Sequence, residues 1–424
     1  MRVLYLSQLV PYPPDAGPKV RQYYTLRYLA QRHTLTLAAF ARDDDKPEAI
    51  EHLKGLCKNV YTVPMKRSRL RDGATLLGSW LNRGSFIIQR DTAAEMAMRV
   101  EDELLGGYDL VHADQLWMAQ YALLAERLAA EGKIRRPRLV LDEHNACYQI
   151  FQRLAQGSGN PITRLLLERE WRALKRYEAQ ACARFDHVVT VTDEDRLILE
   201  GMVNEIRGGA GEGATPQPGR TRQTEFSTIP ICVDTQEVQP VQPAQGSQEV
   251  LHLGTMFWLP NVEGVLWFIY EVMPRLRERL PAATLSVVGK NPPDSIRSLA
   301  SRQAGIEVAG YVPDPQPYLE RAGAFIVPLF AAGGMRVKIV DAWRWGLPIV
   351  STRIGAEGIR YRDGENILIA DDAEAFAQAV ARVLQDGELN RRLRENGRRW
   401  VEKEYDWQRV YPAWDEVYRV SATG

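Results

Sequence analysis

Residues Val327–Thr352, VPLFAAGGMRVKIVDAWRWGLPIVST, gather two glycines, two cations and a carboxylate onto one turn and one helical pattern. Gly333 and Gly334 let the backbone approach an anion, and a helix starting near Arg336 aims unpaired N–H groups at it. Arg336 and Lys338 add charge-assisted hydrogen bonds, so the spacing suits the two phosphoryl groups of a diphosphate. Asp341, about one and a half turns beyond Arg336, can meet a pair of ribose hydroxyls. The competing reading is an ordinary turn followed by a solvated helix face. A second group, Val111-His112-Ala113-Asp114 and Leu141-Asp142-Glu143-His144-Asn145, ends two successive apolar runs. If those runs are strands, their terminal polar side chains converge on a crevice; otherwise His112 and His144 cap strand ends through hydrogen bonds. A third group interleaves Lys66, Arg67, Arg69, Arg71, Arg83 and Arg90 with Leu76, Leu77, Trp80, Phe86 and Ile87. That pattern suits an anionic membrane surface, or a basic surface helix with its apolar face buried.

The elements that must position these residues are short β-rich runs alternating with helical patterns. Strands are expected at residues 2–6, 34–40, 60–63, 110–112, 138–141 and 187–192, then at 250–253, 284–288, 306–309, 324–328, 348–351 and 367–369. Helices are expected between them, among them one from Pro18 to just short of Thr34, one over 262–280 and one over 336–345. Such alternation predicts α/β architecture with two Rossmann-like, doubly wound parallel-sheet domains. Residues 207–226, rich in Gly, Pro and Thr, are expected to be a flexible loop of the first domain. Residues 235–248, rich in Pro and Gln, are expected to be the interdomain linker. The domains are therefore residues 1–234 and 249–404. Residues 405–424, with Tyr405, Trp407, Tyr411 and Trp414 as anchors, are expected to be a helix crossing back to the first domain.

At 424 residues the chain is long enough for two such domains, and 45% hydrophobic residues supply real cores. Lys and Arg total 54, as do Asp and Glu, so no net field draws nucleic acid. Cys57, Cys147, Cys182 and Cys232 are scattered, without metal-ligand spacing, and read as reduced thiols of a cytoplasmic protein. The N-terminus reads as a first strand and no apolar run is long enough to span a bilayer.

Across nearly the whole chain the sequence resembles retaining glycosyltransferases of the GT-B fold, the "glycosyl transferases group 1" class, in which the two domains face a central cleft. The glycine-to-helix segment resembles its donor-binding signature. Pro13-Pro14-Asp15-Ala16-Gly17 resembles its loop after the first strand, and Gly310-Tyr311-Val312-Pro313-Asp314 its segment beside the nucleotide base. Gly289-Lys290-Asn291-Pro292, and Ile229-Pro230 with Val233-Asp234, also match. Within the class the chain looks closest to sugar transferases of exopolysaccharide clusters associated with exosortase systems.

The resemblance implies that a nucleotide-diphosphate sugar is bound by Gly17, Gly254, Gly289, Lys290, Val312, Gly333, Gly334, Met335, Arg336, Lys338 and Asp341. Their place at strand ends makes His112, Asp114, Glu143, His144 and Asn145 the acceptor-side candidates; the resemblance puts Asp114 near the reacting sugar and His144 at a cleft-lining histidine, and Asp114, His144, Arg336 and Lys338 are the expected catalytic group. It implies no metal and no cofactor. The acceptor is a glycan or polyprenyl-linked saccharide, and the place is the cytoplasm, with peripheral contact at the inner face of the plasma membrane. Two departures stand out. The class carries two glutamates eight positions apart, whereas here Gly333 precedes Asp341 at that spacing. The class also carries Arg and Lys after the first strand of the second domain, where this chain reads Gly254-Thr255-Met256-Phe257-Trp258. Two alternatives therefore stay open: a non-hydrolysing sugar-nucleotide epimerase, and a catalytically silent nucleotide-sugar-binding partner. A dinucleotide-binding dehydrogenase is set aside because the first turn lacks G-x-G-x-x-G.

Overall fold

The computed structural model describes residues 1–65, 68–208, 223–242, 244, 246–256, 258–331 and 333–419. The chain divides into two compact units: Met1–Ile231 together with Tyr411–Gly424, and Cys232–Val410.

In the first unit seven parallel strands form one sheet: β1 (Arg2–Ser7), β2 (Thr34–Ala41), β3 (Asn59–Pro64), β4 (Leu110–Asp114), β5 (Arg138–Glu143), β6 (His187–Thr190) and β7 (Glu225–Thr228). Their order is 3-2-1-4-5-6-7, so the winding reverses between β1 and β4. In open α/β sheets such a reversal is where the loops leaving the carboxyl ends of two neighbouring strands diverge. Strands covered on both faces read as near-continuous apolar runs, which is why β1, β2 and β4 to β6 are plain in the sequence. β7 is different. It starts within the last two residues of the stretch expected to be a loop, at the sheet edge, with Phe226 as its one large apolar residue. The helix Asp193–Gly208 also runs into the start of that stretch. Residues 209–222, the remainder of the expected loop apart from Gln223 and Thr224, lie outside the described residues.

The second unit has six parallel strands: β8 (Glu249–Leu253), β9 (Thr284–Val288), β10 (Ile306–Gly310), β11 (Ala322–Val327), β12 (Ile349–Ser351) and β13 (Leu368–Ile369). The order is 10-9-8-11-12-13, with the reversal between β8 and β11. The helix expected over 262–280 begins earlier and changes form, as Leu259–Trp267, a π-helical turn Phe268–Val272, and Met273–Arg279. Pro274, which has no N–H to donate, sits at the start of the last piece.

Residues 235–248 belong to the second unit. Arg398 donates to the Thr235 and Val238 carbonyls, Arg394 to Val241 O, and Val241 N to Trp345 O at 3.0 Å. The chain therefore leaves the first unit between Ile231 and Cys232. At the other end Tyr405 and Trp407 stay with the second unit, Tyr405 stacking on Trp343, and the return begins at Tyr411.

Candidate functional site

In the second unit, the backbone after β8 is squeezed against the end of β9. A Cβ on Gly289 would lie 1.8 Å from Gly254 O, and one on Gly254 would lie 2.7 Å from Lys338 Nζ. Only glycine fits at 289, where the obstacle is backbone; at 254 a side chain would push the Lys338 ammonium aside. Gly254 N donates to Val288 O at 2.9 Å and Met256 N to Lys290 O at 2.8 Å, so the two strand ends are stitched together. The Lys338 ammonium, in the first turn of the helix Val337–Arg344, donates to Asn261 Oδ1 at 2.8 Å, and Asn261 Nδ2 donates to Thr255 O at 2.8 Å. Gly254, Gly289, Lys290 and Lys338 are thus brought together at the carboxyl edge of the sheet. Burial, with Arg336 nearby, lowers the Lys338 pKa to about 7. His252 on β8 is fully buried, with Nδ1 on Ile326 O at 3.2 Å; burial and then Lys338 hold its pKa well below the usual value, so it stays neutral.

Arg336 caps the helix and is 7% exposed. Its Nη1 donates to Gly333 O at 2.7 Å, Nη2 lies 4.0 Å from Glu357, and the guanidinium approaches the Trp258 ring at 5.9 Å. Gly334 takes φ +70°, a left-handed bend that turns the chain into Met335 and this cap. The Asp341 carboxylate is part-exposed and pairs with Arg344 at 2.8 Å. Val312 lies in the loop beyond β10, one strand farther out. Sequence reading missed Asn261, His252, Trp258 and Glu357, although the Leu259-Pro260-Asn261 helix start after β8 was a visible signal.

In the first unit, Gly17 opens the helix Gly17–Ala30, which lays Arg21 and Gln22 across the sheet. β4 and β5 run in register, Asp114 beside Asp142, and Tyr5 of β1 lies beside His112. Asp114 accepts from Gln22 Nε2, from Tyr5 OH at 3.4 Å, and contacts His144 Nε2 at 3.0 Å. Burial raises the Asp114 pKa while His144 and Gln22 draw it back. With Nε2 on a carboxylate, the His144 Nδ1 lone pair points elsewhere, and it has no hydrogen-bond partner among the described residues. Gln115, next to Asp114, takes φ +69°, and its buried Nε2 likewise has no partner among the described residues. A non-glycine residue held there stores strain of about 1–3 kcal/mol, a burden typical of functional sites.

The expectation that His112, Asp114 and Glu143 face a crevice is corrected by their burial, since each is 0% exposed. His112 stacks on Tyr5, its Nδ1 meets Tyr418 OH at 2.8 Å, and burial lowers its pKa to about 3. Glu143 points to the other face of β5 from Asp142, because strand side chains alternate. Burial, then Glu178, Asp142 and Asp195, push its pKa well above the carboxylate range. Asp114, fully buried, holds the His144 ring through the 3.0 Å contact. His144 is 8% exposed and Asn145 is part-buried, and both sit just past β5.

Arg21 clasps Asp142 through Nε and Nη2, both at 2.9 Å, and donates to Pro230 O at 2.9 Å. Burial alone would raise the Asp142 pKa; the guanidinium outweighs it and holds the carboxyl below the usual range. Two clusters bring metal-ligand atoms close together, His112/Asp114/Asp142 and Glu143/Cys147/Glu178. In the first, Arg21 clasps Asp142 and Tyr418 meets His112 Nδ1, while His112 Nε2 has no hydrogen-bond partner among the described residues. In the second, Glu178 accepts the Cys147 and Tyr148 N–H groups at 2.6 and 3.2 Å, and burial lifts its pKa to about 8.

Residues 17–204 match the family model described as Glycosyltransferase Family 4, and residues 247–386 the model described as Glycosyl transferases group 1. An uncharacterised 44.6 kDa protein in the cps region of Klebsiella pneumoniae is 25% identical over 97% of this chain and 98% of its own. The lipopolysaccharide core biosynthesis glycosyltransferase LpsE of Rhizobium meliloti is 34% identical over 28% of this chain and 36% of its own. Two solved structures share the fold along nearly the full length. Anabaena HepE, in complex with UDP and glucose, has a TM-score of 0.62 at 13% identity, covering 98% of this chain and 99% of that one. WaaG, a glycosyltransferase involved in lipopolysaccharide biosynthesis, has 0.64 at 16%, covering 99% and 100%.

Proposed function

This chain is a glycosyltransferase of the GT-B fold, and from that premise we propose that it moves a sugar from a nucleotide-diphosphate donor to a glycan or polyprenyl-linked acceptor in capsule, lipopolysaccharide or exopolysaccharide synthesis. The observation that carries this reading is the cation pair Arg336 and Lys338 set against the glycine-lined ends of β8 and β9. Two preorganised positive charges there stabilise the negative charge that develops on the departing diphosphate. Gly254 and Gly289 let the two strand ends and the Lys338 ammonium pack closely, which sets the cation at the sheet edge, with Lys290 beside it. Gly333 and Gly334 shape the turn, and Val312 and Asp341 are assigned to the nucleoside end. HepE, a structural relative, binds UDP and glucose, which supports a nucleotide-sugar donor.

On the acceptor side, His144 receives or orients the incoming hydroxyl through Nδ1, with Asp114 fixing the ring and Asn145 alongside. Transfer with retention means that the hydroxyl enters on the face the diphosphate leaves. The protein works at the inner face of the plasma membrane. No helix among the described residues is long and apolar enough to cross a membrane. The helix Arg69–Leu81 instead exposes its apolar stripe: Leu70, Leu77 and Leu81 are 88%, 71% and 89% exposed, and Trp80 is exposed beside them. A basic helix that serves as ordinary surface buries that stripe. Lys66, Arg67 and the Arg69 side chain lie outside the described residues, while Arg71 and Arg83 are exposed on the segment.

The test is a thermal-shift panel of nucleotide sugars. A ligand that binds only the folded state raises the melting temperature, and Arg336→Ala should remove the shift given by the true donor. A shift that survives the substitution would overturn the donor-site assignment.

A further inference from the structure

Away from both clusters, the second unit carries a hollow of about 200 Å³ beside the amino end of β13. One wall is the loop Arg362–Asn366. The other is the end of the helix Gly387–Glu404, through Asn396, Arg399, Trp400 and Lys403. The Gly254, Gly289 and Arg336 loops follow strand carboxyl ends, whereas this loop precedes a strand, so the hollow is a separate place.

Its lining has more positive than negative charge. Arg362, Arg399 and Lys403 face Glu365 alone as a lining carboxylate. Glu365 pairs with Arg362 at 3.3 Å, and Lys403 meets Glu404 at 2.9 Å. Arg399 makes no ion pair among the described residues; its Nη2 rests on the Asn396 amide oxygen at 2.6 Å. Trp400 is fixed by its indole N–H on Arg360 O at 2.7 Å, and the Arg362 and Lys403 charges lie 5.3 and 5.7 Å from its ring centre. The cations are thus held along an aromatic surface. Asn366 is 2% exposed. Its Oδ1 accepts from Arg362 N at 2.8 Å, while its Nδ2 has no partner among the described residues. Asn366 thus holds the loop wall in place from beneath, its amide closed off from solvent.

We propose that this hollow binds an anionic sugar, one that carries a phosphate or carboxylate, with the acid group on Arg399 and Lys403 and the sugar ring against Trp400. The anion follows from the excess of cations in the lining and from Arg399, which makes no ion pair among the described residues; the saccharide body rests on the glycosyltransferase reading. Two sources share this chemistry, a free sugar phosphate and an acidic unit of a glycan chain.

Calorimetric titration of the full-length chain with glucose 6-phosphate, glucuronate, glucose and inorganic phosphate tests the proposal. Glucose 6-phosphate or glucuronate should bind at least tenfold tighter than glucose and than inorganic phosphate, and the tighter of the two identifies the source. Arg399→Ala, at an exposed position, should weaken that binding tenfold or more, and Lys403→Gln should weaken it in the same direction. Arg336→Ala should leave it unchanged. The proposal is overturned if neither acid sugar binds at millimolar concentration, if inorganic phosphate or glucose binds as well, or if Arg336→Ala rather than Arg399→Ala removes binding. The donor reading fails by a different result, a nucleotide-sugar shift indifferent to Arg336→Ala.

Discussion

Lys338 has its pKa near 7, so at neutral pH a substantial fraction of molecules carry a neutral amine beside Arg336. A diphosphate brought against it restores the proton. Donor binding should therefore take up a proton between about pH 7 and 10, where the free side chain is neutral and the bound one charged. Affinity should fall as pH rises through that range. Calorimetry in buffers of different ionisation enthalpy measures the uptake, and Lys338→Met should abolish it. The same shift has a stability sign. The unfolded lysine keeps its proton up to about pH 10 and the folded one releases it near 7, so this residue's contribution to stability increases as pH climbs from about 7 to 10. Arg21 is the opposite case, a cation kept charged by a fully buried partner. Arg21→Met should cost about 3–5 kcal/mol in denaturant unfolding, because it leaves Asp142 buried and uncompensated. Lys338 and Arg336 were legible because they follow a strand and a glycine turn. Arg21 was not, since nothing local distinguishes a buried arginine from a surface one, and His112, Asp114 and Glu143 were misjudged because a strand's sequence does not tell what covers each face.

Among the elements, strands with cover on both faces announced themselves by unbroken apolar residues, and β9 was legible to the residue. β7 carries Glu-Phe-Ser-Thr at a sheet edge, and no apolar run or alternation marks it. The helix Arg69–Leu81 was legible as amphipathic, but the sequence could not tell which side faces solvent. Its exposed leucines give an element-level prediction. The protein should sediment with vesicles containing anionic lipid at low salt, and less so as salt screens the arginines. Leu77→Asp and Leu81→Asp should each reduce partitioning about tenfold or more, the loss expected from one leucine no longer buried in the interface. Both sites are exposed, so the melting temperature should hold. A wild-type protein that stays in the supernatant would refute the docking.

On the scale of the molecule, the chain leaves its first unit at Ile231 and re-enters it at Tyr411. The returning Tyr411, Trp414 and Tyr418 are at most 1% exposed, and they roof Arg21 and His112: Arg21 lies 4.9 Å from the Trp414 ring centre. The aromatic anchors were legible, but the point of return was not, because Tyr405 and Trp407 look the same in sequence and pack in the second unit. Losing one buried Trp or Phe costs about 3–5 kcal/mol, and a whole domain has only about 5–15 kcal/mol to lose. A chain ending at Val410 should therefore lack a folded first unit, while the fragment Cys232–Val410 should keep a cooperative transition by calorimetry. The same detour sets an order in time during synthesis. The ribosome must deliver every residue from Cys232 to Val410 before the roof emerges, a delay of about 10–40 s at roughly 5–20 residues per second. Until then the nascent first unit shows Arg21 and the Tyr5–His112 stack to water and to chaperones, and the half of the enzyme made first is the half completed last.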